Sequence, residues 1–148
     1  MSAAGARILV VDDDPDIHGV VEVMLAGLGY ELEFCSTGAA ALEAMRRHKP
    51  DLVLLDIMLT QPTEGLQVAC QMRQDVHLKD IPIIFVSAVG ESMGAEYARE
   101  VCPIALDADL FLEKPLEASR VREAVAWVMA QRSGQALPRP AGPDATGA

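Results

Sequence analysis

Positive charge is scarce in this chain: 12 Lys and Arg stand against 22 Asp and Glu, a formal net charge of −10. That balance argues against direct nucleic-acid binding, which needs basic patches facing phosphates. Long apolar runs are missing too. No stretch approaches the roughly 20 apolar residues a membrane-spanning helix requires, and the opening residues, MSAAGAR, hold no signal-peptide core. The expected compartment is therefore the cytoplasm, with no membrane association. Cysteine is sparse. Cys35, Cys70 and Cys102 form no paired or metal-ligand spacing and lie in or beside apolar segments, so buried reduced thiols are expected. No internal repeat is visible.

What is present is an ordinary globular composition: 148 residues, 51% hydrophobic and 23% charged, enough for one domain with a full core. The organising stretch is DLVLLD at residues 51–56, four apolar residues between two carboxylates. So short and apolar a run reads as a strand buried on both faces, as in parallel sheets. Asp56 would then stand at its carboxyl end, where open α/β sheets place their ligand crevice. Three other strand-like runs also end on polar groups: residues 8–11 on Asp12 and Asp13, 81–86 on Ser87, and 110–112 on Lys114. A further strand is expected over 31–35. Helical spacing of apolar residues predicts helices over about 15–28, entered through Asp14 and Pro15, and over 38–47, capped by Ser36 or Thr37. Others are expected from Leu66 to about Gln74, over about 92–101, and over 117–132; residues 104–109 are ambiguous. Residues 60–65 form a loop by composition, and 133–148, rich in Gly, Pro and Ala without periodicity, a disordered tail. Five strands alternating with five helices imply a doubly wound (βα)5 fold: a five-stranded parallel sheet with helices on both faces.

Asp12, Asp13 and Asp56 would share one rim of that sheet. Carboxylates so close raise one another's pKa unless something positive neutralises them. A hard divalent cation with oxygen ligands does so, Mg²⁺ being the natural choice. Lys114 adds a second positive charge, and Ser87 a hydroxyl donor. Such a pocket would receive a phosphoryl group, with a carboxylate oxygen attacking phosphorus in line. Each piece alone has a plainer reading. Residues 12–14 could be a helix-initiating acidic turn, Ser87 a strand-end turn, and Lys114-Pro115 a surface charge before a helix-starting proline. One crevice accounts for all of them together.

These motifs, ILVVDDD at 8–14, DLVLLDIM at 51–58, IIFVSA at 83–88 and FLEKP at 111–115, resemble the receiver domain of two-component response regulators over residues 7–132. The resemblance implies a flavodoxin-like, three-layer α/β/α fold between a flexible N-terminus (1–6) and the tail. It implies phosphorylation of Asp56 by a sensor histidine kinase or phosphotransfer protein. Asp13 would bind Mg²⁺ (or Mn²⁺) directly, Asp12 directly or through water, and the Met58 backbone carbonyl would complete the protein ligands. Ser87 and Lys114 would contact the phosphoryl oxygens, and Lys114-Pro115 would be cis. The chain departs from the family pattern in places. Thr60 stands where proline is usual, and Gly65 follows Asp56 by nine residues rather than eight. The interval from Ser87 to Lys114, 27 residues, is longer than usual. Phe111 replaces the switch tyrosine. Met58 and Val89 replace polar residues that would orient a hydrolytic water, so a long-lived phosphoryl group is expected. With only the short tail after 132, the expectation is a stand-alone regulator, itself no enzyme beyond its own phosphorylation and dephosphorylation, acting on an unidentified downstream protein. The alternatives are a phosphatase-like enzyme working through an aspartyl-phosphate, for which Met58 stands where a general-acid carboxylate is needed, and a phosphate-independent interaction module.

Overall fold

A computed structural model describes residues 5–57, 64–87, 110–132 and 134. Five strands, β1 (Arg7–Val11), β2 (Glu31–Cys35), β3 (Leu52–Asp56), β4 (Ile83–Ser87) and β5 (Leu110–Glu113), form one parallel sheet in the order β2-β1-β3-β4-β5. Four helices are seen among the described residues: α1 (Pro15–Met24), α2 (Gly38–Arg47), α3 (Glu64–Gln74) and α4 (Ala118–Arg132).

The two-residue period of the strands divides their side chains between two cores. Leu9, Val11, Val53, Leu55, Ile83 and Phe85 pack under α2 and α3. Their alternates Ile8, Val10, Leu52, Leu54, Ile84 and Val86 pack under α1 and α4. All five residues of β3 are buried, so each of its apolar side chains contributes on the order of 1.5–3 kcal/mol. This is the doubly wound, three-layer α/β/α architecture expected from the sequence. Strand order reverses between β1 and β3, which puts the ligand crevice beyond the carboxyl ends of those two strands.

Helix ends follow local chemistry. The Asp14 side chain caps α1 by accepting from Asp16 N, with proline in the first turn. Thr37 rather than Ser36 caps α2, accepting from Ala40 N at 3.1 Å. The first helix ends at Met24, four residues before the expected limit, and the chain leaves through Gly27 and Gly29 at φ +81° and +86°, conformations other residues rarely adopt. The fourth strand starts at Ile83 rather than Ile81. Pro82 has no N–H for the ladder, although its carbonyl accepts from Val53 N at 3.0 Å. Asp51, the carboxylate that precedes the apolar run, sits just before β3 and accepts from Arg7 N at 2.8 Å.

Residues 5 and 6, assigned from sequence to a flexible N-terminus, are tied to the turn before β2 through Gly5 N–Gly29 O (2.7 Å) and to the start of β2 through Glu31 N–Ala6 O (2.8 Å). The three reduced thiols are corrected in part. Cys35 is a free, half-buried thiol, whereas Cys70 on α3 is disulfide-bonded. Sequence spacing reports local pairing only, and cannot see a partner that the fold brings close. The helix expected over 92–101, the ambiguous 104–109, the loop over 60–63, residues 1–4 and the tail beyond 132 (residue 134 apart) lie outside the described residues. Among the described residues no helix is long and apolar enough to cross a membrane.

Candidate functional site

Asp12, Asp13 and Asp56 come together as expected, each offering a carboxylate oxygen within 4.8 Å of the others. Each has a different local reason for being there. Asp56 is the last residue of β3, in register with Val86 of β4, and is buried. Asp12 follows β1 directly and is also buried, its N–H donating to Cys35 O at 3.0 Å and thereby extending the β1–β2 pairing. Asp13 is exposed at the mouth.

Lys114 closes the opposite side. It follows β5, whose Glu113 is in register with Ser87 of β4. Its Nζ lies 3.1 Å from Asp12 Oδ2 and 3.2 Å from Asp56 Oδ2. The peptide bond to Pro115 is cis. Burial pulls the lysine pKa down, but the hydrogen bond to Asp12, the charges of Asp56 and Asp12 and the hydrogen bond to Asp56 outweigh it, leaving the pKa above its ordinary value. The ammonium is therefore held charged. Three carboxylates against one ammonium still leave a formal charge of −2 on the cluster. The donors are all hard oxygens, two buried and one facing solvent. That set suits Mg²⁺, which takes one or two carboxylates and keeps several waters.

Two features of the surroundings go beyond what the sequence spacing indicates. Asp12 Oδ1 accepts from Asp14 N at 2.9 Å, and the Asp12 carbonyl accepts from Nε2 of His18, one turn into α1, at 2.7 Å. A carbonyl can only accept, so Nε2 carries the proton. On the other side, Gly65 N donates to Ile57 O at 3.0 Å, and the Gly65 α-carbon lies against the Asp56 carbonyl. A Cβ there would overlap Asp56 O and approach Ile57 O to 2.7 Å, so only glycine fits. Glu64, beside it, reaches to α2 and accepts from Gly38 N at 2.7 Å. The start of α3 is thus clamped to Asp56 and to α2 together.

Ser87 ends β4 on the same rim, and Phe111 lies in β5 opposite Phe85. What the side chains of Ser87 and Phe111 do, and the positions of Met58, Thr60 and Val89, lie outside the described residues.

Comparison with known proteins agrees with this geometry. A sequence model of the response regulator receiver domain matches residues 8–126. The DNA-binding response regulator MtrA of Mycolicibacterium smegmatis is 34% identical over 131 residues, which cover 88% of this chain and 52% of that protein. The alkaline phosphatase synthesis transcriptional regulatory protein PhoP of Bacillus subtilis is 33% identical over 132 residues, covering 89% and 51%. Among solved structures, the receiver domain of NtrX from Brucella abortus superposes with a TM-score of 0.71 at 30% identity, covering 82% of this chain and 97% of that one. The chain spans about half the length of the curated relatives it matches.

Proposed function

This chain belongs to the response regulator receiver domain family, and on that premise we propose that it is phosphorylated on Asp56 by a sensor histidine kinase or phosphotransfer protein, with Mg²⁺ required. The observation that carries the reading is the placement of Lys114 Nζ between two buried carboxylates, 3.1 Å and 3.2 Å away, beside an exposed third. Salt bridging alone would not need a three-to-one excess of negative charge in one crevice.

Each residue then has a role its position supports. Asp56, at the strand end, is the nucleophile: a carboxylate oxygen bonds to phosphorus as the bond to the donor nitrogen breaks, and the electron pair leaves with that nitrogen. Asp12, Asp13, Asp56 and the Met58 carbonyl would hold Mg²⁺, which when bound shields the charge of the equatorial phosphoryl oxygens. Lys114, already charged and anchored, meets an oxygen of the incoming group by exchanging its Asp56 contact for a phosphoryl contact. Ser87 on the same rim donates a hydrogen bond, and Phe111 is the residue that repacks when Ser87 moves.

Output from this chain is proposed to pass by protein contact, since its net charge of −10 suits nucleic acid poorly. MtrA and PhoP are described as a DNA-binding and a transcriptional regulator respectively, and the match covers about half of each. A phosphatase-like enzyme remains the weaker reading, because Met58 stands where that chemistry needs a second carboxylate.

Beryllofluoride with Mg²⁺ tests the proposal by mimicking the acyl phosphate. It should raise the melting temperature of the parent protein, only with Mg²⁺ present, and leave Asp56→Asn unaffected. A parent protein indifferent to beryllofluoride, or an equal response in Asp56→Asn, would overturn the assignment.

A further inference from the structure

We propose that His18 is a positioning residue for the metal ligand Asp13, acting through the peptide bond that joins Asp12 to Asp13. The inference rests on the reading of Asp13 as a metal ligand.

The Asp12 carbonyl, on which His18 Nε2 donates at 2.7 Å, belongs to the planar unit that also contains the Asp13 nitrogen. Fixing that carbonyl fixes the last backbone rotation of Asp12 and, through the planar unit, the positions of the Asp13 nitrogen and α-carbon. Everything else that holds the turn acts on its flanks. Asp12 is anchored by its N–H to Cys35 O (3.0 Å) and by its carboxylate to Asp14 N (2.9 Å) and Lys114 (3.1 Å). Asp14 is fixed as the cap of α1. Asp13 itself is exposed, so its direction must come from its backbone. The imidazole is the one side-chain group among the described residues that bonds the peptide plane carrying it.

The imidazole is in turn oriented by packing. Its ring lies 5.0 Å from the Phe34 ring at an interplanar angle of 33°. Phe34 sits in β2 opposite Val10, and α1 covers that face of the sheet. The chain of support runs from β2 through Phe34 to His18, and from His18 to the peptide that presents Asp13. A carboxylate held in its ligating direction loses less freedom on taking the metal, which appears as affinity.

Three variants separate donation from packing: His18→Phe keeps a ring against Phe34 without a donor, His18→Gln keeps a donor without the ring, and His18→Ala removes both. Two measurements are made on each. In metal-free protein the ¹⁵N order parameter of the Asp13 amide, about 0.85 for rigid backbone, should fall toward 0.6 in the Phe and Ala variants and be retained in Gln. The Mg²⁺ dissociation constant, by calorimetry, should rise about 5-fold in Phe and Ala, equivalent to about 1 kcal/mol, the size of one hydrogen bond. In the Gln variant it should return to within about 2-fold of the parent. An unchanged order parameter in His18→Phe overturns the clamp. A lowered order parameter with unchanged affinity overturns its role in presenting Asp13. A parent protein that takes up no Mg²⁺ overturns the metal reading instead, and the order parameter alone then decides whether His18 orders the turn.

Discussion

Replacing Gly65 with alanine sets two well-understood effects against each other. On helix propensity alone the change should help, since alanine in a helix interior is favoured over glycine by about 1 kcal/mol, somewhat less at the second residue of α3. Packing opposes it. The new methyl would overlap the Asp56 carbonyl oxygen and come within 2.8 Å of the Asp56 carbonyl carbon and 2.7 Å of Ile57 O. These are backbone atoms of the central strand and its exit, with no flexible side-chain end to yield. Relief requires the start of α3 to retreat, stretching the Gly65 N–Ile57 O bond (3.0 Å) and the Glu64–Gly38 cap (2.7 Å). Over-packing costs about 1–3 kcal/mol and a lost hydrogen bond about 1 kcal/mol, so the net is a destabilisation of about 1–3 kcal/mol. For a chain of this size that lowers the melting temperature by about 3–10 °C. Calorimetry or urea unfolding reads it, with Gly38→Ala as control. At Gly38 the added Cβ meets Val68 Cγ2 at 2.7 Å and Glu64 Oε2 at 3.0 Å, side-chain atoms rather than backbone and a milder overlap than at Gly65, so the loss should be smaller. A Gly65→Ala protein as stable as the parent, or more so, would refute the reasoning.

Two further expectations concern charge. Lys114→Met leaves Asp12 and Asp56 buried without their cation and should cost about 1–3 kcal/mol without metal, below the 3–5 kcal/mol typical of a fully buried pair because Lys114 is partly exposed. Its pKa is raised on folding, so its stabilisation is complete below the ordinary lysine value of 10.5 and lost as pH climbs through the folded value. Urea titrations of parent and variant should therefore differ at pH 7 and converge at strongly alkaline pH; a gap that widens with pH would contradict the assignment. Mg²⁺ at ten times its dissociation constant should stabilise the parent by about 1.4 kcal/mol, with much of that lost in Asp13→Ala. A parent melting temperature unmoved by millimolar Mg²⁺ counts against the acidic site as a metal centre.

The inner strands β1, β3 and β4 were legible in the sequence because their apolar runs are short and bounded by polar or turn residues, and a strand buried on both faces admits little else. Asp12, Asp56 and Lys114 were legible for a related reason: each stands where such a run stops, and parallel strands bring their stops to one rim. Boundaries were less clear. Leu25 and Leu28 continue the helical spacing of α1 beyond its end at Met24, but only Leu25 is buried; Leu28 lies on the surface in the turn that follows, so the spacing overran the helix. Ile81 is buried like a strand residue although the ladder begins at Ile83. Contacts between distant segments left no local trace. Glu64 caps a helix 26 residues away, and Gly65, read from sequence as the end of a loop, is the close contact to Asp56. A single histidine in a helix's second turn gives no hint that it bonds the carbonyl of a site residue. Cys70 shows the same limit, since cysteine spacing cannot report a partner remote in sequence.

The central claim, that Asp56 accepts a phosphoryl group in a Mg²⁺-dependent reaction, is tested most directly by intact mass spectrometry after incubation with acetyl phosphate. The account predicts one phosphoryl adduct per chain in the parent protein, abolished by chelation of Mg²⁺ and absent from Asp56→Asn. An adduct that persists in Asp56→Asn, or a parent protein left unmodified with Mg²⁺ and excess donor present, would contradict it.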